Sequence, residues 1–190
     1  SPDKIQEYAR IVHAQSARLL ALVEQAIVYS VADRRGAGLT FEVVDVAGLV
    51  RDVVEGFKSG VPRDLPIHFS ADEGVPFIKA DPSALEQVVW NLLENAVKYG
   101  QADNTINVSV RSNAREAIIA VRDRGEGIAP DDLPRVFDRF YRGQRHARQR
   151  RGFGLGLAYA QKVVTAHGGR IAVSSAPGCG SEFHVFLPAA

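Results

Sequence analysis

The sequence contains no methionine, one tryptophan and one cysteine. With Cys179 alone, an intramolecular disulfide is excluded, and the chain fits a reducing compartment. No apolar run is long enough to cross a bilayer and no signal peptide is present, so a cytoplasmic location is expected. Any membrane attachment would come from a segment upstream. A charge imbalance is missing too: 23 basic and 22 acidic residues give a formal net charge of +1. Nothing global therefore points to nucleic acid or to a membrane surface, and no nucleic-acid partner is expected. Beginning at Ser1 and lacking methionine, the chain reads as a piece of a longer protein. What is present is 190 residues, 46% hydrophobic and 24% charged, enough for one good core and an appendage.

That appendage is expected at residues 1–32. Ile5, Tyr8, Val12, Leu19, Leu22, Ala26 and Tyr29 recur in steps near the heptad, interrupted by Gln15, and predict one long helix with a single apolar stripe. Such a helix, with no second helix beside it in sequence, is expected to pack on another chain or on a segment outside this sequence. The polar, glycine-containing break Asp-Arg-Arg-Gly-Ala-Gly at 33–38 marks a linker, and residues 39–190 form the second domain. Within it the pattern predicts a strand at 39–44, an amphipathic helix at 46–58 and short strands at 67–70 and 77–80. Asp81 then caps a helix at 84–99, with Pro82 at its first position. Strands follow at 106–111 and 117–123, then a long loop at 129–151 with a helical turn at 131–136. A helix at 154–167 stops at Gly168-Gly169, and a hairpin of 170–175 with 182–187 closes the chain. Helices and antiparallel-looking strands in this order predict an α+β fold, a two-layer sandwich.

On the helix at 84–99, Leu85, Val88, Val89, Leu92, Leu93 and Ala96 make a core face, while Asn91, Asn95 and Lys98 fall on a separate stripe at i, i+4 and i+7. Asparagine competes for the backbone and is a mediocre helix former, so two of them one turn apart need a reason. Either they are solvated polar residues or their amide oxygens serve Mg²⁺, a hard cation that keeps several waters and bridges phosphates. Lys98 would then meet phosphate as a point charge.

Asp123 heads the run Asp-Arg-Gly-Glu-Gly at 123–127. This is either a strand-ending Asp-Gly turn or a carboxylate that accepts a hydrogen bond from the exocyclic amine of adenine, with Gly125 and Gly127 letting the backbone turn beside the ring. Gly152, Gly154 and Gly156 make either a loose turn into a helix or a set of exposed N–H groups at its positive end, where phosphate binds. Between them residues 139–151 are intensely basic and carry no acid. This run is either a solvated, disordered loop over much of its length or a mobile lid whose cations meet phosphates when closed, its base anchored by Phe137 and Phe140 packing inward. Together these segments assemble an ATP site.

The run Asn-Leu-Leu-Glu-Asn-Ala-Val-Lys-Tyr at 91–99 resembles the N box of bacterial sensor histidine kinases. Residues 123–127 resemble the G1 box of that family, Phe-Asp-Arg-Phe-Tyr-Arg at 137–142 its F box, and Gly-Phe-Gly-Leu-Gly-Leu at 152–157 its G2 box. Order and spacing agree from about residue 39 to the end. The resemblance implies the histidine kinase/gyrase type of sandwich, with ATP and Mg²⁺ as cofactors, and a protein-histidine kinase of a two-component signalling system. It implies that Asn91 and Asn95 hold Mg²⁺, that Lys98 meets phosphates and that Tyr99 touches the nucleotide and the lid base. Asp123 would read the adenine N6 amine in a pocket shaped by Gly125, Gly127 and Ile128. Gly152, Gly154, Leu155 and Gly156 would serve the lid hinge and phosphate cradle, and Arg142 would reach the terminal phosphate. Glu94 would accept or orient the proton of the acceptor histidine. The helix at 1–32 resembles the second helix of the dimerisation and phosphoacceptor hairpin, implying a homodimer in the full-length protein and a response regulator receiver domain as partner.

Two departures stand out. No histidine carries the acidic neighbour of the family's acceptor, since His13 is followed by Ala14, so this chain alone is expected not to autophosphorylate. Phe153 replaces a small or polar residue and offers no hydrogen bond. Two other functions share the sandwich: a gyrase- or heat-shock-type ATPase, which places a glutamate where Asn91 stands, and a non-catalytic ATP-dependent binding module.

Overall fold

The computed structural model describes residues 38–61, 65–101, 103–113, 115–143 and 154–190. The helix expected at 1–32, the linker up to residue 37, the basic run at 144–151, Gly152 and Phe153 lie outside them. In chain order the elements are β1 (Glu42–Val44), α1 (Val46–Lys58), β2 (Ile67–Ala71), β3 (Ile78–Ala80), α2 (Pro82–Lys98), β4 (Ile106–Ser112), β5 (Glu116–Arg122), a 3₁₀ turn (Leu133–Arg135), α3 (Gly156–Ala166), β6 (Arg170–Ser175) and β7 (Ser181–Pro188).

Aspartates start the two longer helices. Asp45 Oδ1 accepts from the N–H groups of Ala47 and Gly48, both at 3.1 Å, ahead of α1. Asp81 Oδ1 accepts from the Ala84 N–H at 2.9 Å ahead of α2, with Pro82 at the first turn. A cap of this kind contributes about 1 kcal/mol. Both helices, with α3, turn their apolar faces onto one side of a five-stranded sheet ordered β2-β4-β5-β7-β6. Leu85, Leu92 and Leu93 of α2 meet Ile106, Ile119 and Leu187 of the sheet, all fully buried. Alternation along β4 and β7 puts one face of each strand in this core and the other outside. The result is the two-layer sandwich.

The strands are not all antiparallel. β2 runs parallel to β4, Ile67 beside Ile106, because α2 lies between them in sequence and carries the chain back across the sheet. β1 pairs with β3 in a separate two-stranded antiparallel sheet. No helix among the described residues is long and apolar enough to cross a membrane.

One buried polar link ties α2 to α3. His167 Nε2 accepts the Asp81 backbone N–H at 2.9 Å, so the ring proton sits on Nδ1, which donates to the Val163 carbonyl at 2.7 Å. Asp81 Oδ2 in turn accepts from the Thr40 N–H at 2.7 Å. Tyr159, on the buried face of α3, has its hydroxyl 3.5 Å from the Ala84 carbonyl. Its pKa is pushed up to about 12, by burial first and by the Asp81 charge second. The start of α2 and the end of α3 are thereby held together at the edge of the core.

Candidate functional site

β5 stops at Arg122, but the ladder continues for one residue, because the Asp123 N–H donates to the Ser181 carbonyl at 2.9 Å. That bond fixes the Asp123 side chain at 5% exposure. Its Oδ1 accepts from the Gly125 N–H at 2.7 Å and from the Ser181 N–H at 3.2 Å. Burial raises the pKa of this carboxyl, and the two N–H donors only partly offset it. Oδ2 carries no hydrogen bond among the described residues. A buried carboxylate with one oxygen in reserve is costly unless a donor arrives.

The loop after Asp123 is held from two sides. On one, Gly125 bridges to Gly100 and the Glu126 N–H donates to the Tyr99 carbonyl at 3.1 Å, stitching the loop to the end of α2. Asn104 reinforces this seam: its Nδ2 donates to the Ala96 carbonyl at 2.8 Å and its Oδ1 accepts the Arg124 N–H at 2.9 Å. On the other, the turn between β6 and β7 grips the loop. The Ile128 N–H donates to Ser175 Oγ at 2.8 Å, and the Gly178 N–H to the Glu126 carbonyl at 2.8 Å. Two glycines permit this approach. Gly127 has φ +70° and a Cβ there would run into the Ala176 carbonyl; Gly180 has φ +76° and a Cβ there would run into the Asp123 carbonyl.

Asp123 opens into a cavity of about 140 Å³ walled by Ile128, Leu157, Pro177 and Phe183, with Asn95 and Tyr99 at its polar end. A cavity of roughly 150 Å³ suffices for a benzene-sized ring. A flat ring with a donor at its edge therefore fits, its apolar faces covered and its donor met by Asp123.

The structure distributes the expected residues unevenly. Asn95, Tyr99, Asp123, Gly127, Ile128 and Arg142 line this cavity. Asn91 is buried one helical turn from Asn95, with its amide near the first residue of α3, where a Cβ on Gly156 would lie 3.6 Å from Asn91 Oδ1. Leu155 precedes α3 with no side-chain cap, which leaves the N–H groups of that first turn for another acceptor. Lys98 turns away from the cavity, its Nζ 4.7 Å from the centre of the Tyr99 ring. Glu94 is exposed, accepts from Trp90 Nε1 at 3.2 Å and lines a different groove, shared with Lys98.

Phe137 packs inward, half-buried and edge-on to Phe183 at 6.5 Å. Phe140 does not. It is 69% exposed and has φ +61°, the only positive φ on a non-glycine among the described residues. The cause is in the backbone: the Phe140 N–H donates to the Gly154 carbonyl at 2.9 Å, and the left-handed turn that permits this directs the ring outward. Tyr141 is the inward residue. Its hydroxyl donates to Asp132 Oδ1 at 2.5 Å, which raises the tyrosine pKa, and the Arg135 guanidinium stacks 4.3 Å over its ring.

Sequence reasoning missed Asn104, Asp132, Leu157, Ser175 and Ser181. Ser181 follows the turn glycine and opens β7, the one signal that it joins a site built by distant strands.

The donor set also suits the metal. Asn91 and Asn95 offer neutral amide oxygens on one helix face, and no cluster of three or more histidine, cysteine, aspartate or glutamate ligands exists among the described residues. Two such oxygens do not make a cage. They would serve only as part of a shell, of the kind that phosphate and water fill out around Mg²⁺.

A two-layer sandwich whose open end combines a buried carboxylate, a ring-sized cavity and an uncapped helix start defines an ATP-binding domain. The chain belongs to the histidine kinase-, DNA gyrase B- and HSP90-like ATPase family, which it matches over residues 80–190. Among curated relatives, the sensor protein RprX of Bacteroides fragilis is 34% identical, covering 99% of this chain and 37% of its own length. The sensor histidine kinase RppB of Synechocystis sp. is 33% identical, covering 99% of this chain and 42% of its own. The chain thus spans well under half of either relative. Among solved structures, full-length ShkA in complex with AMPPNP superposes with a TM-score of 0.79 at 30% identity, covering 97% of this chain and 39% of that one.

Proposed function

We propose that this chain is the ATP-binding catalytic region of a sensor histidine kinase, cytoplasmic in the whole protein. It would transfer the γ-phosphoryl group of ATP to a histidine supplied by another segment, for relay to a response regulator. The observation that carries this reading is Asp123, buried at the end of a ring-sized cavity with Oδ2 in reserve. Adenine presents an amine there and guanine does not. The sensor kinases among the relatives support the choice of reaction.

In this reading Ile128, Leu157 and Phe183 cover the base, and Asp123 fixes its edge. Asn91 and Asn95 would hold Mg²⁺, which neutralises phosphate charge when bound. The first-turn N–H groups of α3 would take phosphate oxygens, with Gly154 before them as hinge. Arg142, at the cavity wall, adds charge toward the terminal phosphate. Lys98 would reach phosphate by leaving the Tyr99 ring. Positioning of this kind is most of what phosphoryl transfer asks of a protein. Asn91 favours transfer over hydrolysis, because an amide cannot take a proton from water. Glu94, exposed on α2 outside the cavity and bonded to Trp90, would leave that partner to meet an acceptor imidazole arriving from elsewhere. The apolar stripe of residues 1–32 would form the homodimer of the full-length protein.

Calorimetry with Mg·ATP, followed by addition of a separately made helical segment bearing an acceptor histidine, tests the whole reading. Binding together with acid-labile phosphate on that segment is expected. ATP hydrolysis without transfer would support the ATPase instead, and binding without chemistry the non-catalytic module. Asn95→Ala isolates the metal contribution: Mg·ATP affinity is expected to fall about tenfold, on the scale of one polar contact, and metal-free ATP affinity to change less. An equal loss in both titrations would show that Asn95 is structural.

A further inference from the structure

The outer face of the five-stranded sheet, opposite the helices, is not an ordinary solvated surface. By register, His68, Asn107, Arg122 and Glu182 form one row across β2, β4, β5 and β7, and Ser70, Ser109, Ala120 and His184 the next. Around them lies a depression of about 400 Å³ whose wall includes Arg111, Arg122 and Arg124. Ala120, on this outward side, is only 4% exposed, so longer neighbouring side chains rise over it.

Three arginines against one glutamate leave the depression net positive. Arg111, Arg122 and Arg124 make no side-chain ion pair or ring contact with another described residue. By contrast, Arg170 pairs with Glu116 and Arg135 with Asp138. Asn107, Ser70 and Ser109 add donors to the same depression, and the one acid there, Glu182, is 3.5 Å from His184. Arginine keeps its charge at any accessible pH and presents a fork matched to carboxylates.

We propose that this face docks an acidic segment of a partner protein, its carboxylates paired with Arg111, Arg122 and Arg124. The row from β2 to β7 covers three strand spacings, about 14 Å, which one phosphate or one dicarboxylate does not span. A nucleic acid is disfavoured because, among the described residues, the depression offers one exposed aromatic ring, the His68 imidazole, where a run of bases stacks on several. Phe186, further along the face, is already covered by the Arg170 guanidinium at 3.9 Å. The surface lies close to the nucleotide cavity in sequence: Arg122 and Arg124 flank Asp123, which points the other way into the core.

The experiment titrates the 190-residue chain with labelled hexaglutamate, by anisotropy, at low and at high salt. The triple variant Arg111→Ser, Arg122→Ser, Arg124→Ser is expected to bind about tenfold more weakly than the wild type at low salt, and the difference is expected to shrink at high salt. Amide shifts on titration should centre on Asn107 and Ser109. Mg·ATP affinity of the same variant should be unchanged, which shows that the fold is intact and separates this proposal from the nucleotide reading. Undiminished hexaglutamate binding in the variant, with shifts confined to the basic run at 139–151, would overturn the proposal. So would a single-stranded oligonucleotide that outcompetes hexaglutamate on the wild type and loses affinity in the variant, because the occupant would then be nucleic acid.

Discussion

Asp123→Asn is expected to weaken ATP by about 1–3 kcal/mol, a factor of roughly 5 to 150, while making the nucleotide-free domain no less stable. The asparagine carbonyl can keep the place of Oδ1 and go on accepting from Gly125 and Ser181. Its NH₂ then stands where Oδ2 was, and a donor faces the donor of adenine. Stability moves the other way because the wild-type carboxylate is raised above its ordinary pKa of 3.8 by burial. The folded state therefore binds the proton more tightly than the unfolded chain does. The stabilisation from that proton is complete below 3.8 and is lost as pH rises through the raised value, so at neutral pH the ionised group is a cost. The variant never ionises there. Thermal melts across pH should show its advantage over the wild type at neutral pH and show it closing in acid. Unchanged ATP affinity by calorimetry would end the assignment of Asp123 as the reader of the base.

Gly127→Ala is expected to cost about 2–5 kcal/mol of stability, combining left-handed strain of roughly 1–2 with overpacking of roughly 1–3. The added methyl meets the Ala176 backbone, which is not the far end of a flexible side chain and cannot step aside. Relieving the clash means parting the Asp123 loop from the β6–β7 turn, so ATP binding should be lost together with stability. Gly178→Ala is the comparator. It has φ +77° but nothing within 4 Å of the new Cβ, so only the strain remains. Chemical denaturation of both variants checks the ranking; equal costs would mean that packing at Gly127 is unimportant.

Local elements were legible in the sequence because their signals are local. The helix at 46–58 is found at those residues, and the Asp81-Pro82 start of α2 is found as the cap. The parallel pairing of β2 with β4 was not legible, since it depends on where a helix returns the chain and not on either strand's own pattern. For the site, Asp123 and Asn95 stood out because a carboxylate beside two glycines and paired mid-helix asparagines are unusual in themselves. Ser175, Ser181 and Asn104 are ordinary residues made important by partners 20 to 58 positions away. Phe140 misled because residue type argues for burial while a single backbone angle decides otherwise.

The grip of the β6–β7 turn on the Asp123 loop bears on how the chain could be rearranged. Hairpin tips rich in glycine and proline are the customary places to splice in a tag, a reporter or new termini. Residues 176–180 have that composition, yet Pro177 forms part of the cavity wall and the Gly178 N–H makes one of the bonds that shape it. The turn at Gly74 has the same surface character without those obligations, with φ +73° and open space where a side chain would begin. A tag or new termini belong there, where the graft leaves the receptor for the nucleotide intact.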